Sequence, residues 1–490
     1  MTLSSALSAA NSGLATTARR AGVAAGNIAN ATTPGYVRRS LRVGEIVLNG
    51  RGQGVQALGI DRAQDIALTR ERRQAGSSAA RADIIAQGMA NLSRELGVPG
   101  DGFGLFAVYQ GVEASLRELA VTPESVALQN GATNALGALA SEFNDLYSIG
   151  QNQRLTADNA IARSVRDVNA GLHRIAGLNG QIAGLGGNSG DIAALEDERQ
   201  RVLDEISQII PVRVITKEHG QIDIMTEEGV FLLAGSVREI SFNGAGVIPA
   251  GASYDENGAG VLSGLSVGDQ NLTPNTSGYF AVSGGTLAGL FTIRDQTAPD
   301  FLENLDSLAA DIISRFSADG IDPTTASGAP GIFTDAGSAL DAGNITGIAG
   351  RIRVNAALDN SQGGQASRLR DGLGSTGLGT VADAGILNNL LDAFTNSATA
   401  PPGSDLLGAH TSVELVAGFS SLIGEGRINA DAVATTALAR AGALADAELS
   451  MSGVDTDAEM QSLLLIEESY AANARVIQTI SEMLDILMQI

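Results

Sequence analysis

The two ends of the chain share one rhythm of apolar positions. Leu3, Leu7, Ala10, Leu14, Thr17, Ala21, Ala24 and Ile28 are spaced alternately four and three residues apart. Leu463, Ile466, Tyr470, Asn473, Ile477, Ile480, Leu484 and Leu487 repeat that spacing to the close of the chain. Alternation of this kind is the a/d seam of a coiled-coil helix. The first seam is light, because only Leu3, Leu7, Leu14 and Ile28 are large. At roughly 1.5–3 kcal/mol per buried side chain, these offset only part of a backbone entropy of ~1–2 kcal/mol per residue, so the helix needs a partner. Asn473, alone and polar in an apolar row, fits a register-setting position. The first helix runs into Asn27-Ile-Ala-Asn-Ala-Thr-Thr-Pro-Gly-Tyr36. There Pro34 drives Thr33 out of helical geometry and Pro34-Gly35 suits the centre of a type II turn.

Between the ends the period changes several times. Gly and alternating apolar residues from Val43 to Ile60 predict a short extended segment or hairpin. A polar helix follows from about Asp61 to Leu96, then a Gly-rich loop over 97–104 and a helix near Leu105–Leu119. Three helical stripes come next, holding Leu136 to Leu146, Val165 to Leu185, and Leu195 to Ile209. Gly186-Gly187 breaks the second and Pro211 ends the third, which reads as a bundle of antiparallel neighbours. Short alternations at Val212/Val214, Ile222/Ile224 and Val230–Leu233 predict an antiparallel β-meander. Gly285 to Arg294 leads into a helix with Phe301, Leu305, Leu308, Ile312 and Phe316. Residues 318–405 are rich in Gly, Ala, Ser, Asp and Thr and read as a second outer insertion closed by Pro401-Pro402-Gly403. Helices at about 410–424 and 429–450 rejoin the bundle. The expected fold class is α+β and multidomain, with paired N- and C-terminal coiled-coil helices, a long-helix bundle and inserted β-rich outer domains. Its expected divisions are 1–60 (axial helix, turn and extended segment), 61–211 (bundle), 212–285 (β-rich outer domain) and 286–317 (returning helix). They continue as 318–405 (outer insertion), 406–452 (bundle) and 453–490 (C-terminal axial helix).

Composition narrows the function. Over 490 residues there are 61 Gly, 11 Pro and only 4% aromatics, so the cores are built from Ala, Leu, Ile and Val. A net charge of −23 argues against nucleic-acid binding, which needs clustered cations. Residues 1–44 carry Arg19, Arg20, Arg38, Arg39 and Arg42 and no acid, whereas 455–490 carry seven acids against Arg475 alone. Opposite signs at opposite ends can steer pairing and register. Cysteine is absent, which removes thiol catalysis and thiolate metal sites. The first thirty residues lack the unbroken apolar core of a cleaved signal peptide, and no run of 18 apolar residues predicts a membrane span.

Catalytic constellations are not evident. Gly372-x-Gly374-x-x-Gly377 matches the dinucleotide fingerprint in letters but has no strand before it or helix after it. His173, His219 and His410 lie far apart, without metal-ligand spacing. His173 reads as a helix-surface residue and His219 as a turn residue. Arg70, Arg72 and Arg73 read either as a solvated helix face or as a contact to an acidic neighbouring subunit. No catalytic, cofactor-binding or metal residues are therefore assigned.

The string Asn27, Ala29, Asn30, Thr33, Pro34, Gly35, Tyr36 behind an N-terminal helix closely resembles the signature of bacterial flagellar axial proteins of the rod, hook and hook-associated class. The C-terminal helix resembles the same family in Tyr470-Ala-Ala-Asn-Ala-Arg-Val-Ile-Gln-Thr479, with Glu467-Glu468 where that family usually has Gln-Gln. Gly52-x-Gly-Val, Ile60-x-Arg62, the Arg-rich helix after it and Ala194-Leu-Glu-Asp-Glu-Arg199 narrow the likeness to hook-associated proteins of the hook–filament junction. The resemblance covers about 1–240, 285–316 and 450–490. It implies a structural, non-enzymatic subunit of the flagellum, needed for filament attachment and self-assembling through its terminal helices. It further implies a ring of copies, the hook protein and an adjoining hook-associated protein as neighbours, an export chaperone on the C-terminal helix, and type III export to the cell exterior without a cleaved signal. The rivals are another axial protein of hook or rod, or a secreted enzyme carried on an axial scaffold.

Overall fold

The computed structural model describes residues 3–33, 35–48, 51–185, 190–256, 260–377, 379–399, 403–406 and 408–488. The chain begins with α1 (Leu3–Ala29), turns, and forms an antiparallel hairpin of β1 (Arg39–Leu48) and β2 (Arg51–Arg62). Register shifts at Arg42/Val43 and Glu45/Val47 give the hairpin the local kinks of β-bulges. Asp65 then caps α2 (Ile66–Leu96), its carboxylate accepting the free N–H groups of Ala67 and Leu68. Three helices follow: α3 (Gly104–Val121), α4 (Val126–Gly184) and α5 (Gly190–Ile209). Pro211 stops the last of them. Beyond it β3 (Val212–Thr216), β4 (Ile222–Thr226), β5 (Phe231–Ala234) and β6 (Ser236–Val237) pair consecutively and antiparallel. The small ladder of β7 (Ser266–Val267) with β8 (Gln270–Asn271) lies beyond them.

α6 (Gly285–Thr292) passes through one π-helical turn, Ile293–Thr297, into α7 (Ala298–Ser317). Loops carrying β9 (Phe333–Asp335), its partner β10 (Ile352–Val354) and the single turn α8 (Arg368–Asp371) lead to α9 (Gly385–Thr395). β11 (Ala398–Thr399) pairs with β12 (Ala409–His410), and α10 (Ser412–Ser452) and α11 (Thr456–Met488) close the chain. A full capping box starts α10: Thr411 Oγ1 accepts from Glu414 N and the Glu414 carboxylate accepts from Thr411 N.

Two hydrophobic cores share α4 as a spine. Its first half gives Leu136, Leu139, Phe143 and Leu146 to a core built with α3, α7, α9 and the start of α10. Its second half gives Ile161, Val165, Val168, Leu172 and Ile175 to a core built with α5, α6 and the meander. The two stripes expected as separate helices are therefore one helix of 59 residues, because no proline or glycine pair interrupts the stretch between them. Gly150 sits where the two halves meet, and a Cβ there would stand 2.7 Å from Leu302 Cδ2.

Two other expectations meet a different structure. Residues 318–405 do not stand apart as an outer insertion with packing of their own, since Phe333, Ile352, Leu387, Leu390 and Phe394 are fully buried in the core of α3, α4 and α7. The helices expected at 410–424 and 429–450 are one, α10, running through Gly424 and Gly426. Each glycine weakens a helix, but α10 lies along α2. There Ala434 packs on Ala82 and Ala86, and a Cβ at Gly426 would come within 2.4 Å of Met89 Cε. Small residues let the two helices approach closely. The breaks expected at Gly186-Gly187 and at Pro401-Pro402 lie outside the described residues.

Candidate functional site

The turn after α1 is organised by one side chain. Asn27 is 0% exposed. Its Nδ2 donates to Arg39 O (2.8 Å), while its Oδ1 accepts from Arg39 N (3.0 Å) and from the Tyr36 hydroxyl (2.9 Å). One amide thus satisfies both backbone groups of the first residue of β1 and holds the aromatic ring of the turn. Asn30 works one turn further on, with Nδ2 donating to Gly26 O and Oδ1 accepting from the Thr33 hydroxyl. Thr33 O in turn accepts from Tyr36 N. Gly35 has φ +76°, and a Cβ there would lie 2.7 Å from Arg201 Cγ, so the position requires glycine twice over. Ala29 is exposed at the last turn of α1, and Pro34 lies outside the described residues.

The turn is fastened to the body through buried charge. Asp197, on α5, takes Arg39 Nη2 on one carboxylate oxygen (2.7 Å) and Arg62 Nε and Nη2 on the other (3.0 and 2.5 Å). Arg39 also lies 4.7 Å over the Tyr36 ring. Burial pushes the Tyr36 phenol above its ordinary value, against the opposing pull of Arg39. Both strands of the hairpin and the turn are therefore bound to α5 by one carboxylate. A second fastening joins the chain ends: Arg38 Nε donates to the Glu459 carboxylate at the start of α11 (2.7 Å), and Arg38 N donates to Ser452 O (2.8 Å).

α11 lies antiparallel along α1, Gly13 facing Asn473, with Thr17, Arg20 and Ala24 near Ile466, Ser462 and Ser469. Leu3, Leu7, Leu14, Ile28, Leu463, Ile466, Asn473 and Ile477 are half-buried, and Ile480 is buried. Tyr470, Leu484 and Leu487 depart from the expected seam and are exposed. Leu464, Leu465, Val476, Met483 and Ile486 are exposed with them. A seam two helices wide covers one face of α11 and leaves Leu464, Leu465, Val476, Met483 and Ile486 on the others, while Leu484 and Leu487 keep the seam spacing but stand past Leu3, the first described residue of α1.

Arg70, Arg72 and Arg73 turn out to be internal ties. Arg73 and Arg72 both reach Asp204 on α5, Arg72 also reaches Glu448 on α10, and Arg70 reaches Glu227. Arg72 and Arg73 are largely covered by these ties, while Arg70 stays half-exposed. His173 lies on the surface of α4 beside Glu239, and His219 occupies a turn with φ +57°. The glycines of 372–377 sit in a loop after α8, where Asp322 and Thr324 accept the N–H groups of Leu373 and Gly374.

The residues that sequence reasoning missed are Asp197, Arg39 and Arg62 as a unit. The only signal was the acidic Leu195-Glu-Asp-Glu198 segment in a stretch already singled out, with nothing to say which acid mattered. Arg294 was missed in the same way. It is fully buried, held by Asp158, Asp295 and Ser263 O and stacked 4.5 Å over Phe291, and the π-helical turn delivers it there. Asp158 Oδ2 accepts from Ala245 N, so this pair ties the loops beyond the meander to α4.

The family model described as the flagellar hook-associated protein FlgK helical domain matches residues 98–332. The model described as the flagellar basal body rod FlgEFG protein C-terminal matches residues 446–490. The chain is 26% identical to flagellar hook-associated protein 1 of Bacillus subtilis, over 98% of this chain and 95% of that protein. It is 23% identical to flagellar hook-associated protein 1 of Escherichia coli over the whole of both. Among solved structures it is similar to the flagellar hook junction protein FlgK of Burkholderia pseudomallei, with 18% identity and a TM-score of 0.43 over 54% of this chain and 46% of that one.

Proposed function

We propose, from the premise that this chain belongs to the FlgK-like flagellar hook-associated proteins, that it is a structural subunit joining hook to filament and that its terminal helices make the joint. The observation that carries this reading is the state of α11. Along most of its 33 residues it half-buries a single stripe against α1 and leaves Leu464, Leu465, Val476, Met483, Ile486 and Leu487 uncovered. Large apolar side chains exposed along one helix in that number mark an interaction site, and neighbouring subunits would bury them.

The division between axial ends and body fits that role. The axial pair 1–60 and 453–490 assembles. The body supports it through Asp197. A ring of copies, hook protein on one side, an adjoining hook-associated protein on the other and a chaperone on α11 before export complete the proposal. Type III export would deliver the chain to the cell exterior. Within the motif, Asn27, Asn30, Thr33, Gly35 and Tyr36 serve as the clamp that fixes the angle between axial helix and body. Deleting the gene in a motile strain tests the reading: hooks without filaments are expected, and filaments attached in normal number would reject it.

A further inference from the structure

We infer that the groove between α1 and the β1–β2 hairpin seats the tip of α11 from a second copy of this chain; the inference rests on the assembly reading and gives it one specific contact. The groove has a volume of about 540 Å³ and is lined by Arg19, Gly22, Val23, Gly26, Leu41 and Ile60 among others. No described residue fills it at the helix surface, since a Cβ added at Gly22 or at Gly26 would meet no atom within 4 Å. Arg19 at its edge makes no ion pair among the described residues. The groove is thus apolar, floored by glycine and bordered by unpaired positive charge.

The tip of α11 has the complementary character. Leu484, Ile486, Leu487 and Met488 are 40, 60, 59 and 84% exposed. Glu482 and Asp485 stand among them, and no basic residue follows Arg475. The antiparallel register, with Gly13 opposite Asn473, sets Leu3 level with about Met483, so residues 484–488 run past Leu3. At 1.5 Å rise per residue the groove at Arg19 begins about 24 Å from that end of α1. The tip cannot reach the groove of its own chain. A second copy displaced along the axis by that distance brings its tip there, with Glu482 and Asp485 beside Arg19. Tip and groove are different patches, so the contact is heterologous and propagates from copy to copy instead of closing as a two-fold dimer.

The chain has no cysteine, which makes cross-linking a clean test. An Ala57→Cys, Ile486→Cys double variant replaces the natural chain in a motile strain, and isolated flagella are oxidised. The expected result is a ladder of disulfide-linked dimers, trimers and higher species, absent from either single variant. Filaments attached normally with no ladder, or a cross-link only to a different flagellar protein, overturn the contact and leave the assembly reading standing. If the double variant fails to incorporate, a charge exchange decides: Arg19→Glu loses filament attachment and Asp485→Arg in the same chain restores it. Failure to restore overturns the contact. Normal filaments in a strain lacking the gene would instead reject the reading on which it rests.

Discussion

Removing the Asn27 side chain is the sharpest perturbation of the clamp. In Asn27→Ala three hydrogen bonds disappear at once, two of them to the backbone of Arg39 and one to the Tyr36 hydroxyl. Each is worth about 0.5–1.5 kcal/mol net, so the set is worth about 3 kcal/mol. The position is fully buried, so water does not readily replace the lost amide. The loss is local. Both cores are built without α1, so the body should keep its stability while α1 and the turn come free. Amide hydrogen exchange read over residues 24–40 is therefore the right assay. At 1.4 kcal/mol per factor of ten, protection there should fall about a hundredfold, and protection in α4 should be unchanged. Asn30→Ala is the control. Asn30 is only half-buried and holds Gly26 O and the Thr33 hydroxyl, so about 1 kcal/mol and roughly a fivefold change are expected. Equal effects at Asn27 and Asn30 would refute the idea that one buried amide holds the turn.

Three further outcomes follow from the interior. Burial pushes the Asp306 carboxyl up to about 6, even though it accepts from Gly347 N and Ala349 N. A folded pKa above the unfolded value of 3.8 means that this group's contribution is fully present below about pH 4 and is lost as pH rises through 6. Asp306→Asn should flatten that part of the stability–pH curve by up to about 3 kcal/mol, and superimposable denaturation profiles for variant and parent would contradict this. Arg294→Met leaves the fully buried Asp158 without its cation and should cost about 3–5 kcal/mol in chemical denaturation; a loss under about 1 kcal/mol would mean that the pair behaves as a surface one. Gly285→Ala forces a side chain into φ +77° with its Cβ 2.2 Å from Ile209 O, at a cost of at least about 2 kcal/mol. Gly177→Ala, within α4 and open on all sides, should instead stabilise by about 0.5–1 kcal/mol; the same sign at both positions would undo the argument.

What could be read from the sequence was whatever repeats within a few turns of chain. The four-and-three rhythm of the end helices, the stop at Pro211 and the alternation at Ile222/Ile224 are local signals, and the structure forms helices and strands at those places. What escaped depends on partners far along the chain. Asp197 meets Arg39 and Arg62 across more than a hundred residues, and no window contains both ends of that tie. The two stripes of α4 looked like two helices because each faces a different core, and only the packing of α7 and α5 on one continuous rod explains the pattern. Phe333 and Ile352 stand apart in a Gly- and Ser-rich stretch, and nothing local says that they and the buried face of α9 complete a core that other helices began. The gap expected between 424 and 429 is continuous helix, and at Gly426 α2 supplies the close neighbour, Met89, that makes glycine suitable there. At the ends of the chain the seam was legible, but not its limits. Tyr470, Leu484 and Leu487 share the rhythm and lie outside the pair.

The most direct measurement is electron microscopy of cells in which Ile477→Asp replaces the natural chain, with the purified variant checked for an intact fold. Ile477 belongs to the seam between α1 and α11, and both cores lie elsewhere, so the variant should fold and be made in normal amount while hooks stand bare of filaments. Filaments attached to those hooks at the usual frequency would show that the paired chain ends are not what joins this protein to its neighbours.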